Sequence, residues 1–289
     1  MSFLWRFDGL RPFAAAVLTG ILLCTTAQFL RAGTEVPHVW DSKQSVSRPD
    51  VSGLTRLRFL TTTDFFPFNF LDSEDRLVGF HVDLARAICD ALELAERCQI
   101  QALPFEELES ALEAGEGEAI LAGLAVTRGA RDRYRFSRSY LQFPARFVTR
   151  RDSTFQGPAY EAVADRRVGV MAGTAHEEML RDLFPGARPV TYTREAWLFE
   201  DLQAGEIDAA FGDGMRLSFW LADTEAAGGC CAFADGPYLA PEYLGRGMAI
   251  AVRRDAPALA DALDYALQQI EESGTFEELY LRYFPIGFY

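Results

Sequence analysis

The chain has 289 residues, 49% of them hydrophobic and 24% charged, with a formal net charge of -14. That length suits one large domain or two ordinary ones, and the composition excludes a disordered chain. The acidic balance argues against nucleic acid and anionic membrane surfaces as partners, because the protein's field repels polyphosphate.

Arg6 and Arg11 precede an apolar run from Phe13 to Ala27, followed by small and polar residues. This is the grammar of a secretory signal, and about fifteen apolar residues fall short of the roughly twenty that span a bilayer. Residues 1–32 are therefore expected to be a cleaved signal peptide that exports the protein, with a retained anchor as the alternative. Leu23 is bulky where processing of a lipid-anchored Cys24 would want a small residue. Residues 33–55 are polar and aperiodic and read as a linker.

From Leu57 short apolar runs alternate with amphipathic stretches, the pattern of an α/β fold. "LRFLTTT" reads as a strand and runs into the aromatic loop "DFFPFNF". "GFHVDLARAICDALEL" spaces Leu84, Ile88 and Leu92 as one helical stripe, and "ELESALEAG" does the same with Leu108, Ala111 and Leu112 before Gly115. "AILAGLAV" is apolar throughout, as in a strand covered on both faces. After "RFVTRRDS" a second series begins, with strands at "RRVGVMAG", "ARPVTYT" and "EIDAAFGD". Thr174 and Glu177 form a capping box for "TAHEEMLRDLF". The strand "GMAIAVRRD" and two helices close the sequence, with Asp255 expected to cap the first and a Thr275–Glu278 box the second. Two successive α/β series imply two lobes, with a ligand cleft at the carboxyl ends of their strands.

The cysteines fall into two local pairs once Cys24 leaves with the signal. In an oxidising compartment Cys89 and Cys98 form either a disulfide or two buried thiols. Cys230 and Cys231 are adjacent and receive no assignment. Three histidines and no metal-type Cys-His spacing leave no candidate metal site. No nucleophile triad, phosphate loop or dinucleotide fingerprint is present, so no cofactor is called for.

Taken in order, "DFFPFNF", "LVGFHVDLARAICDAL", "AILAGLAVT", "RYRFSRSY", "VGVMAGTAHEEML", "GEIDAAFGD" and "GTFEELYLRYF" resemble the periplasmic solute-binding proteins of family 3, which deliver polar amino acids to ABC transporters. The resemblance covers about Leu57 to Phe284. It implies a periplasmic-binding-protein type 2 fold, two α/β lobes joined by a two-segment hinge that closes on the ligand. Lobe one would be 56–149 plus 246–289 and lobe two 150–245, with crossings near Arg146–Arg150 and Tyr238–Gly245. It implies a monomer that captures an amino acid or related carboxylate and hands it to a membrane permease. Some relatives carry a local disulfide where Cys89 and Cys98 stand.

By the same resemblance, Phe65 and Phe66 would line the side-chain pocket, Gly123 would border the ligand, Gly173 and Thr174 would form an anion-facing helix start, and Asp213 would hold the ammonium group. Core packing for the phenylalanines and plain helix capping for Thr174 and Asp213 are the competing readings. The family's carboxylate-binding arginine falls at Ala130, which Arg128 and Arg131 flank, and its hydroxyls fall at Ala125 and Ala175. Arg128 or Arg131 is the expected substitute, while Arg133, Arg135 and Arg138 read as a solvated face or as interlobe ion-pair partners. A cyclohexadienyl dehydratase on the same fold is the enzymatic alternative, with Glu177 or Glu178 as the acid. A sensor module is the third reading, less expected because such relatives continue past the last helix.

Overall fold

The computed structural model describes residues 46–289 apart from positions 125 and 285. The signal expected at 1–32 and much of the 33–55 linker lie outside the described residues. The described part of that linker is fastened down. Val46 donates its N–H to Gln268 Oε1 at 2.8 Å, Arg48 pairs with Glu93, and Val51 and Leu54 pack on the neighbouring core.

The first series is β1 (Leu57–Thr61), a three-stranded ribbon of β2 (Asp64–Phe65), β3 (Asn69–Leu71) and β4 (Leu77–Val78), then α1 (Phe80–Ala91), β5 (Cys98–Ala102), α2 (Leu108–Glu113), β6 (Ala119–Ile120), α3 (Arg128–Arg133) and β7 (Tyr134–Phe136). The second is β8 (Ala145–Arg150), α4 (Ala159–Ala162), β9 (Arg167–Met171), α5 (Ala175–Leu183), β10 (Arg188–Tyr192), α6 (Glu195–Ala204), β11 (Ala209–Asp213), α7 (Gly214–Ala222), β12 (Cys231–Tyr238) and α8 (Pro241–Leu244). The chain then returns to the first lobe with β13 (Ala251–Arg253), α9 (Pro257–Glu272) and α10 (Thr275–Tyr283). Each lobe holds a five-stranded sheet, in the orders β5-β1-β6-β13-β7 and β10-β9-β11-β8-β12. Among the described residues no helix is long and apolar enough to cross a membrane.

Helices cover both faces of each sheet, which explains the unbroken apolar runs. Successive strand residues point to opposite faces, so Phe59 joins one core with α1 and α9 while Leu60 joins another with α2. Phe147 and Val148 divide in the same way between the two cores of lobe two.

The crossings are shifted by a few residues from the expected ranges. Arg146–Arg150 belongs to β8, an interior strand between β11 and β12, so the first crossing comes earlier, at 141–144. The strand-like segment "RFVT" fits either sheet, which is why the sequence did not place the boundary. The second comes later, because α8 still packs in lobe two through Tyr243 and Leu244. The two crossings pair where Leu141 bridges Met248. Gly247 has φ +83°, and a Cβ there would clash with Leu141 O, so glycine lets the two backbones touch.

Two caps also differ from expectation. Ala256, not Asp255, precedes α9, and Asp255 turns to Arg253 instead. Thr275 lies inside α10, which starts after a left-handed Gly274, and its hydroxyl meets Ser273. Cys89 and Cys98 form a disulfide linking α1 to β5, and Cys230 and Cys231 form a second between adjacent residues. His81 is buried in a polar chain under the first lobe. Its Nδ1 meets Asn69 Oδ1 at 2.7 Å, Asn69 Nδ2 donates to Thr62 Oγ1, and Tyr140 OH meets His81 Nε2 at 2.8 Å. Burial holds His81 down to about 3.

Candidate functional site

Two cavities open beyond the carboxyl ends of parallel strands, one on each lobe. The lobe-one cavity, about 250 Å³, follows β1 and β6 and is lined by Thr62, Asp64, Phe65, Phe105, Ala122 and Gly123. Gly123 has φ +75°, and a Cβ there would sit 2.6 Å from Phe65 Cε1, so the ring lies directly on bare backbone. Behind it Phe65 rests on fully buried Phe68, with ring centroids 4.8 Å apart. Phe66 points elsewhere. It is 63% exposed, lines neither cavity, and meets Phe219 of α7 at 5.9 Å.

The lobe-two cavity, about 530 Å³, follows β9, β10 and β11. Its central acid is Asp213, which ends β11 and caps α7 by accepting the Arg216 N–H at 2.9 Å. Burial raises its carboxyl above the ordinary carboxylate value, against the Arg216 N–H, His176 and the Arg216 charge, which lower it. No cationic side chain is hydrogen-bonded to it among the described residues. The Arg216 guanidinium is engaged by Glu195, with Nε to Oε1 at 2.8 Å and Nη2 to Oε2 at 2.6 Å. That fork joins residues 21 apart and left no sequence signal.

His176 was also missed. It lines the same cavity from the first turn of α5, and its buried Nε2 has no hydrogen-bond partner among the described residues. Burial holds the imidazole below its ordinary range, with Asp213 opposing. A histidine beside a Gly-Thr helix start was the available clue.

The helix start behaves differently from expectation at Gly173. Glu177 reaches back and accepts the Gly173 N–H at 2.7 Å, so that donor is taken within the chain. Thr174 caps α5, accepting the Glu177 N–H at 3.3 Å and donating to Met171 O at 2.8 Å, and its side chain borders the cavity.

Arg131 joins neither cavity. Thr127 caps α3 and accepts the Ala130 N–H, which turns Ala130 inward to 6% exposure. Arg131, about 100° further round the helix, faces out and lines a separate cavity. Arg128 opens α3. Arg133 and Arg138 pair within lobe one rather than across the lobes, with Glu109 and Asp264, and Arg135 donates to Arg254 O.

The family model for bacterial extracellular solute-binding proteins, family 3, matches residues 57–286. A putative ABC transporter arginine-binding protein 2 of Escherichia coli K12 is 30% identical over 228 residues, 79% of this chain and 90% of that protein. The histidine-binding periplasmic protein of the same organism is 30% identical over 236 residues, 81% of this chain and 89% of that protein. Among solved structures, the unliganded open L-cystine solute receptor of Neisseria gonorrhoeae superposes with a TM-score of 0.68 at 17% identity, over 81% of this chain and 94% of that one. It shares the two-lobe fold.

Proposed function

Because the chain belongs to the family 3 bacterial extracellular solute-binding proteins, we propose that it captures an amino acid between its lobes and passes it to an ABC transporter permease in the periplasm, acting as a monomer. Family membership makes it a solute-binding protein rather than an enzyme. The observation that carries the amino-acid reading is Asp213, a carboxylate held at the end of β11 in a cavity where the nearby guanidinium is already engaged. An ammonium or guanidinium group supplies the missing positive partner.

Phe65, seated on Gly123, would wall the apolar part of the solute, and Thr174 would border its polar part. By the family resemblance Arg128 is the remaining candidate for the solute carboxylate, since Arg131 lines a different cavity. The arginine- and histidine-binding relatives favour a basic amino acid. Closure would follow from contacts the solute makes with both lobes at once, bending the paired crossings at 141–144 and 245–248.

No observation favours the dehydratase reading. Arg181 and the Gly173 N–H hold Glu177 below its ordinary range, so it is charged rather than poised to donate a proton. Isothermal titration of the full chain with arginine, lysine, histidine, glutamine and glutamate tests the proposal. Saturable binding of at least one basic amino acid is expected, and silence across all five would overturn it.

A further inference from the structure

A third cavity lies apart from both strand-end cavities. About 910 Å³ in volume, it is walled on lobe one by Arg131, Arg135, Arg138 and Arg254 and is also lined by Arg246 from the second crossing. Asp261 and Asp264 of α9 share the lining, so five cations face two anions, an excess of three positive charges on a chain that totals -14. Part of this set is fixed in place. Arg254 Nη1 donates to Asp132 O at 2.7 Å and Arg131 O at 3.3 Å at the end of α3, and Asp264 accepts the Arg138 N–H at 2.7 Å. Among the described residues, neither Arg131 nor Arg246 has an ion-pair partner.

Guanidinium groups brought together from α3, β7, the second crossing and the end of β13 repel one another unless an anion joins them. Their planar forks match oxyanion geometry. The cavity also spans the hinge. Gln142 comes from the first crossing, Arg246 from the second, and Pro241 opens α8, which Tyr243 ties to Asp182 of α5 at 2.9 Å. Bending at the crossings therefore changes the distance from Arg246 and Pro241 to the lobe-one arginines.

We propose that this cavity binds a small multivalent oxyanion of the phosphate class, at a site separate from the solute cleft, and that the bound ion ties the second crossing to lobe one. An ion that prefers one hinge angle alters solute affinity, and the solute alters ion affinity by the same factor. Anion binding itself does not depend on the amino-acid reading; the coupling does.

Orthophosphate titrated into the full chain at constant ionic strength, with chloride as the control ion, tests the site. Saturable phosphate binding is expected, at least tenfold weaker in the Arg135→Gln/Arg246→Gln double variant. No phosphate heat in the native protein, or equal binding in the variant, would overturn the proposal. So would co-flotation with phosphatidylglycerol vesicles without binding of free phosphate, since that outcome assigns the arginines to a lipid headgroup. Amino-acid titrations of the same variant separate the two readings, because a solute bound normally there leaves the cleft intact whatever phosphate does.

Discussion

Replacing Asp213 by Asn separates its two roles. Oδ1 accepts the Arg216 N–H as a helix cap, and asparagine caps about as well, so the cap costs no more than about 0.5 kcal/mol. The charge is a different matter. Burial lifts the folded carboxyl above its ordinary 3.8, so the group stabilises the fold most below that value and loses that contribution as pH rises through the lifted folded value. At neutral pH D213N is therefore expected to be as stable as the native protein or slightly more stable. Solute binding should suffer heavily. Removing one partner of a desolvated charge pair costs about 2–4 kcal/mol, roughly 30- to 700-fold in Kd. Titration calorimetry with the best-bound amino acid reads the affinity, and thermal melts of the unliganded variant read the fold. Native affinity in D213N would refute the ammonium role. A loss of more than about 2 kcal/mol in the unliganded melt would mean that the acid serves the fold instead.

His81 is ordinarily protonated near 6.5 but is held at about 3 in the fold, so stability should fall as pH drops from 6.5 towards 3, by at most about 5 kcal/mol. Urea melts at pH 4 and 7 check this. His81→Leu should flatten the dependence and cost about 2–4 kcal/mol at pH 7, because Asn69 and Tyr140 lose a buried partner. Opening the Cys89–Cys98 loop with Cys98→Ser should cost about 2–3 kcal/mol for a closure of this length, read as a lower urea midpoint. An unchanged midpoint would show that the bridge adds nothing to the fold. Gly247→Ala places a Cβ against Leu141 O and should cost about 2–4 kcal/mol in thermal melts, whereas Gly157→Ala, whose added Cβ meets nothing, should cost less.

What the sequence disclosed was mostly local and periodic. The stripe Leu84, Ile88, Leu92 became the buried face at the end of α1, and Thr174 caps α5 as its spacing implied. Non-local facts were harder to read. "RFVTR" has a β-branched and aromatic centre and is strand-like, but nothing in it says which sheet it joins. β12 contains Gly236 and Pro237, which read as breakers, and pairs with β8 through register shifts. Asp255 and Thr275 looked like caps on spacing alone, but Ala256 and Gly274 carry the backbone into the helices instead. At the site, Phe65, Gly123, Thr174 and Asp213 line the strand-end cavities. Arg131 does not, because Thr127 fixes the phase of α3 with Ala130 inward. The Arg216–Glu195 fork depends on a tertiary contact that no short motif encodes, whereas His176 stood beside the Gly173–Thr174 helix start and its burial was what the sequence hid.

The position of β13 bears on how the molecule is assembled during synthesis. Lobe two is one uninterrupted stretch, 145–244, and has all its strands before the rest of the chain is made. The first sheet instead has a gap between β6 and β7 that only residues 251–253 can fill. As the polypeptide emerges amino end first, the earlier-made half must wait, with its apolar strands incomplete, for β13 at Ala251–Arg253, near the carboxyl end of the chain. A chain still being made is therefore most exposed to aggregation through its amino-terminal half, the half that is synthesised first and completed last.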